Sequence, residues 1–95
     1  MHVISRKKLK EAALRYGKLE GRLDAWFRIA KKATWKSLAD VRKTFATADA
    51  VGKRTIFNIQ GNQYRLIVEI NYTSGRIYIR HVLSHAEYDR GGWKR

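Results

Sequence analysis

The stretch SHAEYD, residues 84–89, brings an imidazole, a phenol and two carboxylates together in one short segment. Ser84 and Glu87 have the spacing of a capping box, which predicts a helical turn at this point. His85 and Tyr88 are three residues apart and would share one face of that turn. Imidazole transfers protons near neutral pH, and a phenol assists when neighbouring cations lower its pKa, so the segment predicts a site of proton transfer. A frayed, exposed turn without a chemical role is the alternative.

Basic residues lie in the strands predicted just before this segment. Arg54, Arg65 and Arg80 fall on one face of these strands, and Glu69 is expected to pair with one of them. Guanidinium groups match the geometry of phosphate oxygens, so this face predicts a phosphate site. A solvated basic surface without a fixed ligand is the alternative. The candidates for contact with an RNA phosphate are Lys53, Arg54, Asn58, Arg65, Arg76 and Arg80.

These residue types together suit the cleavage of RNA without a metal. That reaction needs a base for the 2′-hydroxyl proton, cations for the charged phosphorane and an acid for the 5′-oxygen, and charge stabilisation is often the largest contribution. His81 and His85 have a spacing that binds zinc on a helix, but His81 belongs to a predicted strand and no third ligand is evident. Adjacent Ser84 and His85 cannot form a catalytic relay with Asp89. The sequence has no glycine-rich phosphate loop.

The net charge of the chain predicts a polyanionic partner. The 95 residues are expected to form one domain, residues 1–95, in which 21 Lys and Arg oppose 8 Asp and Glu for a net charge of +13. Such an excess suits RNA, DNA, an anionic membrane or an acidic protein. No apolar run approaches the ~18 residues that a membrane-spanning helix needs, and no signal peptide is seen, which favours the cytoplasm. The lack of cysteine excludes disulfides and thiolate metal sites.

The elements that must position these residues follow an α+β order, with helices first and strands afterwards. Residues 2–4 predict a short edge strand, and Ser5 is expected to cap a first helix that Gly17 ends. Helical spacing predicts a second helix over 19–30, and a capping pair predicts a third helix that begins after Ser37. The predicted fold therefore has N-terminal helices packed on one face of a small antiparallel sheet.

From residue 54 the hydrophobic period changes to two, which predicts three antiparallel strands. These strands are 54–60, 63–73 and 76–83. Turns of two residues at 61–62 and 74–75 suit hairpins, and they set the register between neighbouring strands. The predicted register pairs Gln60 with Gln63, Phe57 with Leu66, Thr73 with Arg76 and Val68 with His81.

This register gives the sheet one apolar face and one basic face. The apolar face, which is expected to pack on the helices, holds Phe57, Ile59, Tyr64, Leu66, Val68, Ile70, Ile77, Ile79 and Leu83. The basic face holds Arg54, Asn58, Arg65, Glu69, Tyr78 and Arg80, with Ile56 and Ile67 between them. His81 falls on the apolar face, where a histidine satisfied by one hydrogen bond is expected rather than a catalytic one.

Three segments of the chain resemble the HigB-type toxins of bacterial toxin–antitoxin modules, a branch of the RelE-like superfamily. These segments are MHVISRKKLKEAALRY, FNIQGNQYRLIVEINY and IYIRHVLSHAEYD. The resemblance implies the RelE-like toxin fold and a cytoplasmic endoribonuclease that cuts mRNA on translating ribosomes, with no metal or organic cofactor. It also implies a HigA-like antitoxin with a helix-turn-helix domain, and contact with operator DNA only through the complex of toxin and antitoxin.

The resemblance also implies roles for residues that match the family motifs. Arg65 and Arg80 would contact the scissile phosphate. His85 would transfer protons and Tyr88 would position or assist it, with Asp89 as a further candidate. The helical cations that would hold ribosomal RNA are Lys7, Lys10, Arg22, Arg28 and Lys32. Two alternatives stay open, namely a non-enzymatic ParE-like inhibitor of DNA gyrase and a plain basic RNA-binding module.

Overall fold

A computed structural model of the chain describes residues 1–94. The elements in chain order are β1 (His2–Ile4), α1 (Arg6–Arg15), a 3₁₀ turn (Gly17–Leu19), α2 (Glu20–Lys32), α3 (Leu38–Thr44), β2 (Asp49–Val51), β3 (Arg54–Ile59), β4 (Tyr64–Asn71), β5 (Arg76–Ser84), α4 (His85–Asp89) and a second 3₁₀ turn (Gly92–Lys94). This order confirms the predicted α+β class, in which helices precede the main strands.

The strands form one five-stranded sheet in the order β1-β5-β4-β3-β2. Strands β3, β4 and β5 are antiparallel to one another, as predicted; β2 is antiparallel to β3, whereas β1 is parallel to β5. The predicted edge strand at 2–4 is confirmed, and its parallel pairing places the start of the chain beside the strand that carries Arg80. Strand β2 adds an edge that the hydrophobic pattern does not predict.

The main core lies between helices α1–α3 and one face of the sheet. Trp26 of α2 packs edge-to-face on Phe57 of β3, with ring centroids 5.4 Å apart. Burying these aromatic and aliphatic side chains supplies most of the energy that offsets the conformational entropy lost on folding. The largest fully buried side chains of this core are Leu19, Trp26, Val41, Phe57, Leu66, Val68, Ile77 and Ile79.

The helix ends agree only in part with the predicted caps. Ser84 forms a complete capping box with Glu87, as predicted. Ser37 accepts a hydrogen bond from the Asp40 backbone N–H at 3.4 Å and so caps α3, but the Asp40 carboxylate accepts from the Lys36 backbone N–H, so only half of that predicted box is formed. Ser5 stands at the start of α1 but its side chain makes no capping hydrogen bond, and its φ of 72° is left-handed. The prediction that Ser5 caps α1 is therefore wrong.

The two hairpins differ in how well the predicted register describes them. Phe57 pairs with Leu66, as predicted, but the ladder ends at Ile59 and Tyr64, so Gln60 and Gln63 belong to a turn of four residues instead of two. In the second hairpin Asn71 pairs with Arg76, so the turn holds four residues instead of two and the predicted pairing of Thr73 with Arg76 is wrong.

Strand β5 contains a β-bulge that overturns part of the predicted face assignment. Val68 pairs with Ile79, whereas the adjacent Ile67 pairs with His81, so Arg80 is an extra residue in β5. The extra residue shifts the alternation of side chains by one position. The predictions that Val68 pairs with His81 and that His81 and Leu83 face the helices are therefore wrong. Both of these side chains lie on the opposite face, and Val82 joins the main core instead.

The sheet face opposite the helices, hereafter the outer face, is partly covered by the segment that follows β5. Trp93 is 5% exposed and packs on Ile56 and Ile67, with Leu83 and Tyr88 at the edge of this second cluster. The outer face therefore combines the predicted basic residues with a small apolar centre. Within the described chain, no helix is both long and apolar enough to span a bilayer.

Candidate functional site

The outer face carries its polar residues in rows that run across the strands. One row aligns Arg54, Glu69 and Tyr78, and the last row aligns Asn58, Arg65 and Leu83. The middle row aligns Ile56, Ile67 and His81. The site therefore has two polar ends separated by a largely apolar row.

The first end is an arginine cluster, which consists of Arg54, Glu69 and Arg80. Glu69 Oε1 lies 3.2 Å from Arg80 Nε and 3.7 Å from Arg54 Nε, so the predicted pairing of Glu69 involves two arginines. Burial alone would raise the pKa of Glu69, but the hydrogen bond and charge of Arg80 and the charges of Lys53 and Arg54 outweigh it and hold that pKa below 4.5. Since one carboxylate meets two guanidinium groups, the cluster keeps an excess of positive charge.

Space for a ligand adjoins this cluster. A cavity of about 380 Å³ is lined by Lys53, Glu69 and Tyr78, together with residues of the β4–β5 turn. The Tyr78 ring also lies below the Arg80 guanidinium, 5.4 Å from ring centroid to Cζ. Lys53 is exposed in the turn before β3, and Arg76 is exposed at the start of β5. Lys53 and Arg76 are thus accessible to a ligand, whereas the Arg54 side chain is only 16% exposed and its Nη1 donates to the Trp93 carbonyl oxygen.

The second end is built around α4, which its capping box attaches to the rest of the fold. Glu87 Oε1 accepts a hydrogen bond from the Tyr16 hydroxyl at 2.7 Å and from the Ser84 backbone N–H at 3.1 Å, and Arg15 lies 3.5 Å from its other oxygen. The Tyr16 hydrogen bond, followed by the Ser84 backbone, lowers the pKa of Glu87 below 4.5. These contacts tie α4 to the end of α1 and so determine where its histidine and tyrosine lie.

The alternation of β4 predicts that Arg65 lies on an open surface. In the structure Arg65 is instead buried, with only 8% of the residue exposed. Its Nη1 donates to the Asn62 carbonyl oxygen and its Nη2 to Asn62 Oδ1, both at 3.0 Å. Its Cζ lies 5.2 Å from the centroid of the Tyr88 ring, and that ring stacks on Trp93 at 5.0 Å. Arg65 and Tyr88 are therefore brought together as expected, with Trp93 stacked on the Tyr88 ring.

His85 lies at the surface of α4 and has an acidic partner. Its Nδ1 is 3.0 Å from Asp89 Oδ2, and both side chains are at least half exposed. This contact involves Nδ1, so Nε2 is the ring nitrogen that is left for a substrate. The backbone N–H of His85 also donates to the Gln63 carbonyl oxygen at 2.9 Å, which fastens α4 to the β3–β4 turn.

His81 is the residue that sequence reasoning misplaces and Trp93 is the one that it misses. The bulge puts His81, half-buried, in the middle row of the outer face. Burial, followed by the charges of Arg54, Lys8 and Arg80, lowers the pKa of His81 below 6.5. A single aromatic residue in a glycine- and charge-rich segment was the only signal that the sequence offered for Trp93.

The helical cations lie on the helix layer, on the other side of the sheet from the outer face. Lys10, Arg22 and Lys32 are exposed. Lys7 lies 3.9 Å from Glu11, and Arg28 lies 3.0 Å from Asp24, each within one helix. Among residues 1–94, no group of three or more histidine, cysteine or carboxylate side chains is arranged to hold a metal ion.

Comparison with known proteins identifies a family for this chain. Residues 19–91 match a family model described as HigB toxin, the RelE-like toxic component of a toxin–antitoxin system. The chain therefore belongs to the HigB toxin family of RelE-like toxins.

Curated relatives cover nearly the whole chain. It is 33% identical over 92 residues, or 94% of its own length and 88% of the relative's, to the mRNA interferase toxin HigB of Escherichia coli (strain K12) and to the mRNA interferase HigB of Shigella flexneri. It is 29% identical over 93 residues to the mRNA interferase HigB of Escherichia coli O6:H1, covering 95% of this chain and 90% of that protein.

Proposed function

We propose that this chain is a metal-independent endoribonuclease that cleaves mRNA on the translating ribosome in the cytoplasm and so stops protein synthesis. The observation that carries the proposal is the junction of β5 with α4. It puts a turn with His85 and Tyr88 at the end of the strand that bears Arg80, on a sheet face that also bears Arg54. The relatives named mRNA interferases support the same reaction.

The reaction assigns a task to each end of the outer face. Arg54 and Arg80 hold the scissile phosphate and stabilise the phosphorane, because two guanidinium groups share only one carboxylate there. His85 takes part in proton transfer through Nε2, with Asp89 orienting its ring. Arg65 and Tyr88 support this end, since the guanidinium holds the phenol ring in place and adds positive charge beneath it.

The remaining partners follow from the charge and from family membership. Lys53, Asn58 and Arg76 contact neighbouring phosphates of the message. The helical cations Lys7, Lys10, Arg22, Arg28 and Lys32 contact ribosomal RNA, because a net charge of +13 favours binding to a polyanion. A HigA-like helix-turn-helix antitoxin neutralises the toxin, and operator DNA is bound only by their complex.

The experiment is controlled expression of the chain, followed by primer-extension mapping of one message in two forms, with and without a functional start codon. We expect growth arrest, and new 5′ ends only on the translated form. Co-expression of the adjacent antitoxin gene should restore growth.

Two results would contradict the proposal. DNA breaks with an intact message would favour a gyrase inhibitor, and normal growth with intact mRNA and DNA would favour a plain RNA-binding module. Cuts of equal strength on the untranslated message would show that the chain is a nuclease whose activity does not depend on the ribosome.

A further inference from the structure

The bulge in β5 presents two consecutive side chains on the outer face. Arg80 is the extra residue, and His81 is the next residue with a partner, directly opposite Ile67. The Arg80 side chain reaches Glu69 on the outer face at 3.2 Å, and Ile67 packs under Trp93 on that same face. In a regular strand two neighbouring side chains lie on opposite faces. Bulges occur often beside active sites, where they re-aim a side chain in this way.

The surroundings of His81 are cationic. Arg54 of β3 and Arg80 of β5 flank it, and both are paired with Glu69 of β4. Lys8 of α1 approaches from the other side, where its Nζ lies 3.4 Å from the Arg80 carbonyl oxygen. Burial and these cations favour the neutral imidazole. A neutral ring at neutral pH has a nitrogen lone pair that can accept a proton.

We propose that His81 is a second catalytic histidine, which accepts the proton of the 2′-hydroxyl next to the phosphate bound by Arg54 and Arg80. This assignment rests on the proposed function and adds the base that the cleavage step requires. The half-buried position of His81 in the middle row puts it between the arginine cluster and α4. A nucleotide whose phosphate lies on the arginines would therefore present its ribose towards this row.

The step balances without any further reactant. The 2′-O–H proton moves to a ring nitrogen of His81 while the 2′-oxygen attacks phosphorus and forms the new O–P bond. The P–O5′ bond breaks, and the 5′-oxygen takes a proton from His85. The products are a 2′,3′-cyclic phosphate and a 5′-hydroxyl, with one histidine having gained a proton and the other having lost one.

The two histidines suit opposite tasks because their neighbours differ. Asp89 lies 3.0 Å from His85 Nδ1 and compensates the positive charge of a protonated ring. His81 has Arg54 and Arg80 as neighbours, which disfavour a protonated ring before the substrate binds. Phosphate binding neutralises part of that cationic charge and so makes proton uptake by His81 easier during the reaction.

The test measures single-turnover cleavage of a translated message in a reconstituted translation reaction across pH, for wild type, His81→Gln and His81→Glu. We expect His81→Gln to lose about 100-fold or more in rate with little change in the concentration for half-maximal rate, since general base catalysis contributes roughly 10²–10⁴-fold. In the wild type the second-order rate, measured with protein well below saturation so that it reports the free protein, should rise with pH through a midpoint below 6.5, the ordinary pKa of histidine. His81→Gln should lack this rise.

His81→Glu keeps a proton acceptor, so it should retain more activity than His81→Gln. His2→Gln is the matched control, because His2 is exposed on β1 and has no role in the site, and it should cleave like wild type. Circular dichroism and thermal unfolding establish that each variant is folded.

A wild-type rate of cleavage by folded His81→Gln would overturn the catalytic role of His81 without contradicting the proposed nuclease function. Equal losses in His81→Gln and His81→Glu, with the pH rise preserved, would also overturn it, because a structural role predicts that result. A wild-type chain that fails to cut any translated message would instead overturn the proposed function.

Discussion

At the scale of single residues, Arg65 shows how the role of a residue depends on what covers it. Alternation in β4 places it on the basic face, but only the fold reveals that its guanidinium group lies against the Tyr88 ring, on which Trp93 stacks. A buried guanidinium group is costly unless its donors are satisfied, and here the Asn62 carbonyl and side-chain oxygens satisfy two of them. Arg65 therefore has a structural role in addition to the role that we propose for it at the site.

We predict that Arg65→Lys lowers the free energy of unfolding by about 1–3 kcal/mol, because an ammonium group cannot reproduce the forked contact with Asn62. Urea unfolding followed by fluorescence measures this change. The matched variant Arg76→Lys, at an exposed position of β5, should change stability by no more than about 0.5 kcal/mol. Equal free energies of unfolding for the two variants would show that the paired hydrogen bonds of Arg65 with Asn62 contribute nothing to stability.

At the scale of elements, the position of α4 depends on contacts with α1 and with the β3–β4 turn. A helix of five residues is too short to be stable by itself, so its capping box and tertiary contacts must hold it. Glu87 joins these contacts, since it closes the capping box and also binds Tyr16 and Arg15. The proposed cleavage site therefore depends on a carboxylate that need not touch RNA.

We predict a pH-dependent loss of stability in Glu87→Gln. The folded state lowers the pKa of Glu87, so its ionised form stabilises the fold at pH above 4.5, and this stabilisation disappears as pH falls through the lower folded value. The variant should be about 1 kcal/mol less stable than wild type at pH 7, with the difference shrinking below pH 4.5.

Urea unfolding at several pH values measures this difference. Glu11→Gln is the control, because Glu11 is exposed and forms only a 3.9 Å pair with Lys7. A difference in the free energy of unfolding between Glu87→Gln and wild type that stays constant from pH 7 to acidic pH would contradict this role of Glu87. So would the lack of any difference at either pH.

The sheet shows which parts of the fold could be predicted and which could not. The register of the first hairpin was predicted correctly because the alternation of its strands and the position of the turn at Gly61 agree. Gly61 indeed has a positive φ of 62°. The bulge could not be seen, because Val82 and Leu83 are both apolar and either one fits the core side of β5. Hydrophobic pattern alone leaves the register ambiguous at such a pair.

The α4 segment was predicted from the sequence, whereas the packing of Trp93 on the outer face was not. The capping box uses a local spacing that is visible in any sequence, which explains why Ser84 and Glu87 were identified. The packing of Trp93 on Ile56 and Ile67 joins residues that are far apart in sequence, so no local pattern reports it. The sequence thus predicted the helical turn of α4, but it did not predict that the candidate residues are divided between two ends of one face.

At the scale of the whole molecule, the sheet separates two surfaces. Its helix side carries the exposed cations assigned to ribosomal RNA, and its outer face carries the arginine cluster and α4. A net charge of +13 attracts RNA to both surfaces, so charge alone does not identify where cleavage occurs. The central claim is that cleavage belongs to the outer face.

The most direct test of that claim is the initial rate of cleavage of one translated message by saturating amounts of Arg80→Ala and Lys43→Ala, compared with wild type. Each substitution removes one cation, but Arg80 belongs to the arginine cluster and Lys43 is exposed on α3. We predict a loss of about 100-fold for Arg80→Ala, as for removal of a group that stabilises a charged transition state, and a wild-type rate for Lys43→Ala. Equal rates for folded Arg80→Ala and wild type would contradict an active site on the outer face.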